Sequence, residues 1–595
     1  MLDVESYNVK ALYRRAQAFM EISDLVLAEL DIKKALEADP QNREVKQIQK
    51  TLKQLQAESN KRDAKLYSNM FARMTKDSST TTKKMKLEKA ENEKQEEAAA
   101  MEVESNTDNS AAPSEKWLLM RLAISASAIK FLPGYEGPLP FHLETGYVGV
   151  GESEEVQLFY YFVKSEKNPE EDPLLLWLTG GPGCTAFSAF AYEIGPLNFK
   201  VEEYNGSLPK LTLNPYSWTK VASIIFVDSP VGTGYSYSRK PLASPSGDFK
   251  QVHQLHQFLR KWIIDHPEFI SSPVYVGGDS YSGVIVPALL QEISYGNEEQ
   301  HISPLINVKG YILGNPKLNS SLESSFEIPF AHGMGLISDE LYESLTKSCG
   351  GGEKGDVDPS NIECWENLQY YYKCISGIQI AQILEPLCGF ALRKQPEMSG
   401  KRRYLHELLL DPEPPIPLDC RTYGYLLAGY WANDDSVRFA LHIIKGSIGE
   451  WQRCKSGLFY DSDIPDSFQY HANLSTKGYR ALIYSGDHDM LVPFMSTQAW
   501  IRSLNYPIVD DWRPWILEGQ VAGYTRTYSN RMTFATIKGG GHTAPEYRPA
   551  ECQAMFDRCR AWKDVIFWVK KENDKPDSSC KHYHESFLRR TLALQ

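Results

Sequence analysis

All 40 glycines in this 595-residue chain follow Pro133. Glycine is the default residue wherever the backbone must take a positive φ or reverse tightly. The first 133 residues therefore lack the usual material for a turn-rich architecture. The 12 tryptophans all follow Lys116, and the 10 cysteines begin at Cys184. Two kinds of polypeptide are joined: helix and polar tether first, then a compact, turn-rich, cysteine-bearing fold.

The totals exclude less. Hydrophobic residues make up 42% and aromatics 12%, as in globular proteins, and the length calls for more than one unit. A formal net charge of −12 argues against nucleic-acid binding as the main activity. No run of 18 apolar residues exists, so no membrane span is expected.

Residues 1–74 read as helical. Ala11, Leu12, Ala16, Phe19, Leu27, Ala28, Ala35 and Leu36 recur near helical spacing, and Asp39-Pro40 punctuates the run. The stretch Ala11–Phe19, with Ala35-Leu36 and Pro40, resembles one tetratricopeptide repeat, most like the last repeat and trailing helix of multidomain immunophilins. In such proteins a Lys and an Arg one turn apart help clamp a chaperone's C-terminal carboxylate. Lys10 and Arg14 match that pair, but a solvated helix face is the preferred reading. A single repeat lacks the stacked neighbours that form the groove, so chaperone-tail binding is not expected.

Residues 75–130 read as a disordered linker, rich in Ser, Thr, Lys and Glu up to about 115. Within it, Trp117–Ile124 followed by Ser125-Ala126-Ser127-Ala128 resembles the end of a signal peptide, interrupted by Arg121 and far from the N-terminus. A short amphipathic helix is the alternative.

From Phe131 the pattern changes. Leu158–Val163, Leu174–Leu178, Ile224–Val227, Val274–Val276, Tyr311–Leu313, Ala481–Tyr484 and Met532–Ile537 read as buried strands, with helical patterns at Asp248–Ile264 and Ser280–Ile293. This alternation predicts an α/β fold with a mainly parallel sheet covered on both faces.

Three strand ends carry chemistry. Val274–Gly283 (VYVGGDSYSG) is a strand, a tight turn and a helix start. Small residues flank Ser280, as a nucleophile elbow requires, and the helix N-terminus suits developing negative charge. Ala481–Asp489 is a strand ending in an acid, and Phe534–His542 a strand ending in three glycines and a histidine. The order Ser280, Asp489, His542 is that of α/β-hydrolases. His542 is expected to act as base and acid, with Asp489 orienting its ring. Asp487 competes for that last role; Asp489 is preferred because it lies further past the strand end. A fourth strand end, Leu174–Cys184, places Thr179, Gly180, Gly181 and Gly183 in a loop that can bring amides to a ligand. The amides of Gly181 and Tyr281 are the expected oxyanion hole. A dinucleotide loop is disfavoured, since Pro182 removes an amide and the G-x-G-x-x-G spacing is missing.

The segments WLTGGPGC, NPYSW (from Asn214), FVDSPVGTGYSYS (from Phe226), GGDSYSG, YSGDHDMLVP and GGGHTAPEYRP together resemble the serine carboxypeptidase-like family, over about residues 131–555. The resemblance implies an α/β-hydrolase fold for residues 131–558, with a helical insertion at roughly 320–430, a divergent tail at 559–595, and neither metal nor dissociable cofactor. Family peptidases grip a substrate's C-terminal carboxylate with an Asn before the two glycines and a Glu before the nucleophile, the latter paired with a second acid. Thr179 and Asp279 stand at the first two places, and Glu193 matches the pairing acid. A Thr hydroxyl cannot supply the two amide donors of Asn. A Glu193–Asp279 pair sharing a proton is still expected. The Thr and Asp pattern resembles the acyltransferase branch, which moves an acyl group from a glucose ester through an acyl-serine to an alcohol or amine. Acyl transfer is preferred over release of C-terminal residues from a peptide. A non-enzymatic alternative is an inactive or fused product, or a chaperone-binding adaptor.

The cysteines lack CxxC or His/Cys clustering and suit disulfides rather than zinc. By resemblance Cys184 pairs with Cys454, Cys349 with Cys364, and Cys420 with Cys374 or Cys388, the last preferred. Asn205, Asn319 and Asn473 are glycosylation sequons. These features want an oxidising compartment (secretory pathway, vacuole or exterior), although no N-terminal signal is seen. Residues 391–418 read as an exposed loop, excised in some relatives. His582, Tyr583 and His584 in the tail are not taken as a metal site.

Overall fold

The run Leu174–Leu178 has no polar side chain, and its residues divide between two hydrophobic cores. Leu174, Leu176 and Leu178 face one; Leu175 and Trp177 face the other. Period-two alternation with both faces apolar marks a strand covered on both sides. Ile224–Val227, Tyr311–Leu313 and Ala481–Tyr484 divide in the same way. These segments are the centre of one sheet.

The computed structural model describes residues 9–21, 32–36, 38–53, 127–240, 245–298, 303–349, 361–388, 417–455 and 457–560. The chain forms two compact units, 1–114 and 115–595. In the first, helix α1 (Val9–Glu21) and helical residues 32–36 and 43–53 bury Leu12, Ala16, Ile32, Ala35, Val45, Ile48 and Leu52. Asn42 caps the last of these, its Oδ1 accepting from the Val45 N–H at 3.1 Å. Lys10 and Arg14 are exposed. Residues 54–126, which hold most of the expected linker and the end of the expected helical region, lie outside the described residues.

The second unit is built on a 12-stranded sheet. In chain order its main strands are β1 (Ser127–Ile129), β2 (Leu143–Val150), β3 (Val156–Val163), β4 (Leu174–Leu178), β5 (Ser223–Val227), β6 (Val274–Asp279), β7 (Val308–Gly314), β8 (Arg480–Gly486), β9 (Ile508–Leu517), β10 (Gln520–Tyr528) and β11 (Met532–Ile537). Their spatial order is β1-β2-β3-β5-β4-β6-β7-β8-β11-β10-β9, and the short strand Tyr237–Ser238 pairs with β3. The six central strands, β5 through β11, run parallel, and both flanks are antiparallel. The α/β-hydrolase architecture expected from the motifs is present.

Helices α2 (Asp248–Asp265) and α3 (Ser282–Glu298) cover one face, filling it with Leu255, Phe258, Trp262, Leu289 and Ile293. The insertion supplies α4 (Ser320–Gly333), α5 (Asp339–Ser348), α6 (Ile362–Ile375) and α7 (Arg421–Ala432). The first three share a small core of their own with Met490 from the loop after β8. In contrast, α7 sends Leu427, Ala428 and Trp431 into the main core on the opposite face from α2. Residues 389–416, which hold most of the expected exposed loop, lie outside the described residues. After β11 come α8 (Ala544–Tyr547) and α9 (Pro549–Arg560).

Two boundaries differ from expectation. Ser127 and Ala128, read as the end of a signal-like segment, belong to β1 and pair with Thr145 and Glu144; the next residue, Ile129, is buried. At the other end α9 runs to Arg560. It buries Cys552, Met555, Phe556 and Cys559, with Phe556 stacked on Trp218 at 4.2 Å. The rest of the tail, with its His582 and His584, lies outside the described residues.

Disulfides join Cys184–Cys454, Cys349–Cys364 and Cys388–Cys420, while Cys374 is free and exposed. Among the sequons Asn205 is exposed. Asn319 caps α4 and donates to Asp466, and Asn473 lies inside the helix Phe468–Thr476 and donates to Gln291. Among the described residues no helix is long and apolar enough to cross a membrane.

Candidate active site

Strand β6 stops at Asp279 and α3 starts at Ser282, so the chain must turn within two residues. Ser280 sits at the bend with φ +55°. A non-glycine residue there costs about 1–3 kcal/mol and needs its surroundings to hold it. The Ser280 N–H donates to Gly314 O at 3.0 Å, and its carbonyl accepts from Lys317 N at 2.9 Å. A Cβ on Gly278 would lie 2.6 Å from Leu178 O, and one on Gly180 would lie 2.6 Å from Ser280 Cβ. Only glycine fits either place.

The loops after β8 and β11 meet this turn. His542 Nε2 lies 2.8 Å from Ser280 Oγ, and its Nδ1 lies 2.8 Å from Asp489 Oδ2. Asp489 is fully buried. Its Oδ1 accepts from Leu491 N at 2.8 Å and its Oδ2 from Asn315 Nδ2 at 2.8 Å. With Nδ1 facing a carboxylate, the proton sits there and Nε2 is left to accept from the serine hydroxyl. Burial alone would depress the His542 pKa; the charge and hydrogen bond of Asp489 more than offset it and raise the group above its ordinary value. Asp487, the competing acid, is used elsewhere: its Oδ1 accepts from Gly539 N at 2.7 Å and meets His488 Nδ1 at 2.6 Å.

The loop after β4 lies across the turn. Gly181 and Gly183 take φ values of +124° and +95°, Gly181-Pro182 is cis, and Cys184 ties the loop to Cys454. Among the described residues the amides of Gly181 and Tyr281 have no partner within the protein. The Tyr281 ring is fixed: its hydroxyl donates to the buried Asp248 carboxylate at 2.9 Å.

Thr179, Asp279 and Glu193 come together beneath this loop. Asp279 Oδ1 accepts from Gly180 N at 3.1 Å, while the buried Thr179 Oγ1 and Glu193 Oε2 have no hydrogen-bond partner among the described residues. The expected shared-proton bond between Glu193 and Asp279 is not formed, because the shorter acid turns onto the loop amide instead. The two acids still feel each other. Burial, then the Asp279 charge, raises Glu193 well above the carboxylate range. Burial pushes Asp279 up to about 6 against the opposing pull of His542. A cavity of about 530 Å³ opens beside them, lined by Tyr192, Glu193, Tyr216, Glu385, Arg421 and Glu546. Arg421 pairs with Glu385 and lies 3.5 Å from Glu546, whose carboxylate also accepts from Tyr425 OH at 2.7 Å. Among the described residues no cluster of His, Cys, Asp or Glu is arranged to hold a metal ion.

Asn315 and Asp248 were not anticipated from sequence. Asn315 offered a faint signal, an Asn straight after the strand beside the one that ends in the Ser280 turn; in the structure it takes φ +42°, which Asn tolerates. Asp248 offered none beyond its place at a helix start.

A model of the serine carboxypeptidase family matches residues 133–561. Serine carboxypeptidase-like 19 of Arabidopsis thaliana is 55% identical over 454 residues, covering 75% of this chain and 96% of its own length. Serine carboxypeptidase-like 2 of the same plant is 56% identical over 434 residues, covering 73% and 92%. Among solved structures, a prohormone-processing carboxypeptidase from Saccharomyces cerevisiae shares the fold, with a TM-score of 0.56 at 18% identity, over 75% of this chain and 96% of that one. The matched stretch contains the strands, the turn and the three loops described above, and the chain belongs to the serine carboxypeptidase family.

Proposed function

We propose that the second unit forms an acyl-serine intermediate on Ser280 and passes the acyl group to an alcohol or amine. The observation that carries the chemistry is the unbroken chain Ser280–His542–Asp489, with both links at 2.8 Å. Ser280 Oγ attacks the acyl carbonyl as His542 Nε2 takes its proton. Asp489 stabilises the imidazolium, and the amides of Gly181 and Tyr281 receive the oxyanion. On collapse the acyl–oxygen bond breaks and His542 returns the proton to the leaving alcohol. An acceptor then gives its proton to His542 and attacks the acyl-serine, releasing Ser280.

The choice of donor rests on Thr179 and Asp279. A peptidase needs donors facing the substrate's terminal carboxylate. Here a hydroxyl replaces an amide, and Asp279 is turned onto Gly180 N. That favours a glucose ester as donor, in keeping with the acyltransferase branch the sequence resembles. Carboxypeptidase activity is the second reading. It is favoured by the raised pKa of Glu193, which keeps a protonated carboxyl able to donate to a carboxylate. The three disulfides and the exposed Asn205 sequon support an oxidising, secretory compartment.

Purified protein offered hydroxycinnamoyl- or galloyl-glucose with alcohol and amine acceptors should give acylated acceptor. Rapid release of the C-terminal residue from an N-blocked dipeptide, without acyl transfer, would overturn the preference. In either case Ser280→Ala should abolish covalent labelling by a fluorophosphonate.

A further inference from the structure

The loops that carry Asp489 and His542 are not held by the sheet alone. Both are bonded to one turn of the insertion, residues Gln379–Glu385, which lies between α6 and the Cys388–Cys420 disulfide. The His542 N–H donates to Ala381 O at 2.7 Å, and the Met490 N–H donates to Ile380 O at 2.9 Å. In return the Ile383 N–H donates to His488 O at 3.2 Å. The side chain of Gln382 completes the contact. It is 3% exposed, and its Nε2 donates to Gly539 O at 3.0 Å. The turn is itself well ordered by local bonds: Gln382 N to Gln379 O at 3.0 Å, and Leu384 N to Gln382 Oε1 at 3.2 Å. Gly541 permits the approach, since a Cβ there would stand 2.5 Å from Ala381 O and 2.8 Å from Gln382 Cβ.

The three glycines before His542 make this support necessary. Glycine adds no side-chain packing and has the widest backbone freedom of any residue, so a Gly539–Gly541 run does not fix the imidazole by itself. The sheet ends at Ile537, five residues before the histidine. Between them, Gly539 is held on both sides: its N–H by Asp487 at 2.7 Å, its carbonyl by Gln382 and by Arg548 Nε at 3.2 Å. Asp489 has the same difficulty, lying three residues beyond the end of β8.

We infer that the Gln379–Glu385 turn of the helical insertion is a positioning element that holds the His542 and Asp489 loops in mutual register, with Gln382 as its side-chain anchor. The insertion then does more than wall the substrate cavity. It completes the geometry of the base and its orienting acid from a segment more than 100 residues away in sequence. This inference rests on the reading of Ser280, His542 and Asp489 as the reacting group and its supports.

The test compares wild type, Ser280→Ala and Gln382→Met by their rates of labelling with a fluorophosphonate. It also follows the downfield imidazole proton shared between His542 and Asp489 by NMR. Gln382→Met keeps the length and bulk of the side chain but removes both the donor to Gly539 O and the acceptor of Leu384 N. The expected result is labelling slowed roughly tenfold per folded molecule, as the loss of one neutral hydrogen bond near a reacting centre would give, with the imidazole resonance shifted or broadened. A structural contact alone would lower thermal stability and leave both readouts unchanged. Labelling at the wild-type rate with an unmoved resonance overturns the inference while Ser280→Ala still vindicates the underlying reading. Labelling that survives Ser280→Ala sinks that reading instead. Should Gln382→Met fail to fold, Gln382→Glu, which can meet Arg548 but cannot donate to Gly539 O when ionised, replaces it with the same expectation. Failure of both to fold also overturns the inference, because the contact would then serve stability and not position.

Discussion

Asp279 sits one residue before the proposed nucleophile, 3% exposed, with its carboxyl pushed up to about 6 by burial. The folded protein therefore holds this proton over a pH range in which the unfolded chain has already released it. Stability then falls as pH rises from the unfolded midpoint near 4 through about 6, and levels off above. Glu193, raised for the same reason and by the Asp279 charge, acts in the same sense. Asp279→Asn removes one titrating group and the repulsion on the other, while its side-chain carbonyl still accepts from Gly180 N. The variant should flatten the stability loss between pH 4 and 7 by of order 2 kcal/mol, measured as urea midpoints at the two ends. An unchanged slope would mean that this acid is ionised and solvated in the folded state. At this scale Ser280, Asp489 and His542 were legible because each follows a buried strand and small or glycine neighbours. Asn315 and the Asp248–Tyr281 bond were not. Which polar side chain reaches a loop from a different strand or helix depends on the folded register, and the place of Asn315 after a strand or of Asp248 at a helix start does not say which partner it meets.

At the scale of elements, the central parallel strands were readable as short, mainly apolar runs. Of the antiparallel flanks only β3 was read, as Leu158–Val163; β9 (IVDDWRPWIL) carries three charges and a proline and exposes Ile508, Val509 and Ile516. Edge strands with one wetted face need neither a buried run nor a clean alternation. The insertion was located by resemblance, but its division was not foreseen. Helices α4–α6 keep a private core, while α7 packs on the main one. That division has a consequence for residues 389–416, which connect the two parts. Their flanks are joined by Cys388–Cys420 and by the Arg421–Glu385 pair. A specific protease site placed within 389–416 and then cut should therefore give two fragments that stay associated on a native column and label with fluorophosphonate as before. The strands before and after the cut lie in one sheet and meet where β7 pairs with β8, so association should persist even under mild reduction. Loss of labelling on cutting would show that an intact connection is needed to keep α7 and the Gln379–Glu385 turn in place.

For the whole molecule, the decisive fact is that every group placed at the candidate site lies between Thr179 and Glu546, inside the unit spanning 115–595. The first unit has its own small core of Leu12, Ala16, Ile32, Ala35, Val45, Ile48 and Leu52. Domains with separate cores fold as separate units when few contacts cross between them. The glycine distribution had already divided the polypeptide near Pro133, and the sheet begins close by, at Ser127. Removing residues 1–114 should leave the fluorophosphonate labelling rate within about twofold of the full chain, and leave its denaturation midpoint unmoved, since the site and its core belong to the other unit. The comparison is made by expressing residues 115–595 alone in an oxidising compartment, so that Cys184–Cys454 can still lock the loop after β4. A fall in labelling well beyond twofold, with the disulfides formed, would mean that the first unit contributes to the site itself. The chain would then have to be understood as one functional body and not as two polypeptides in series.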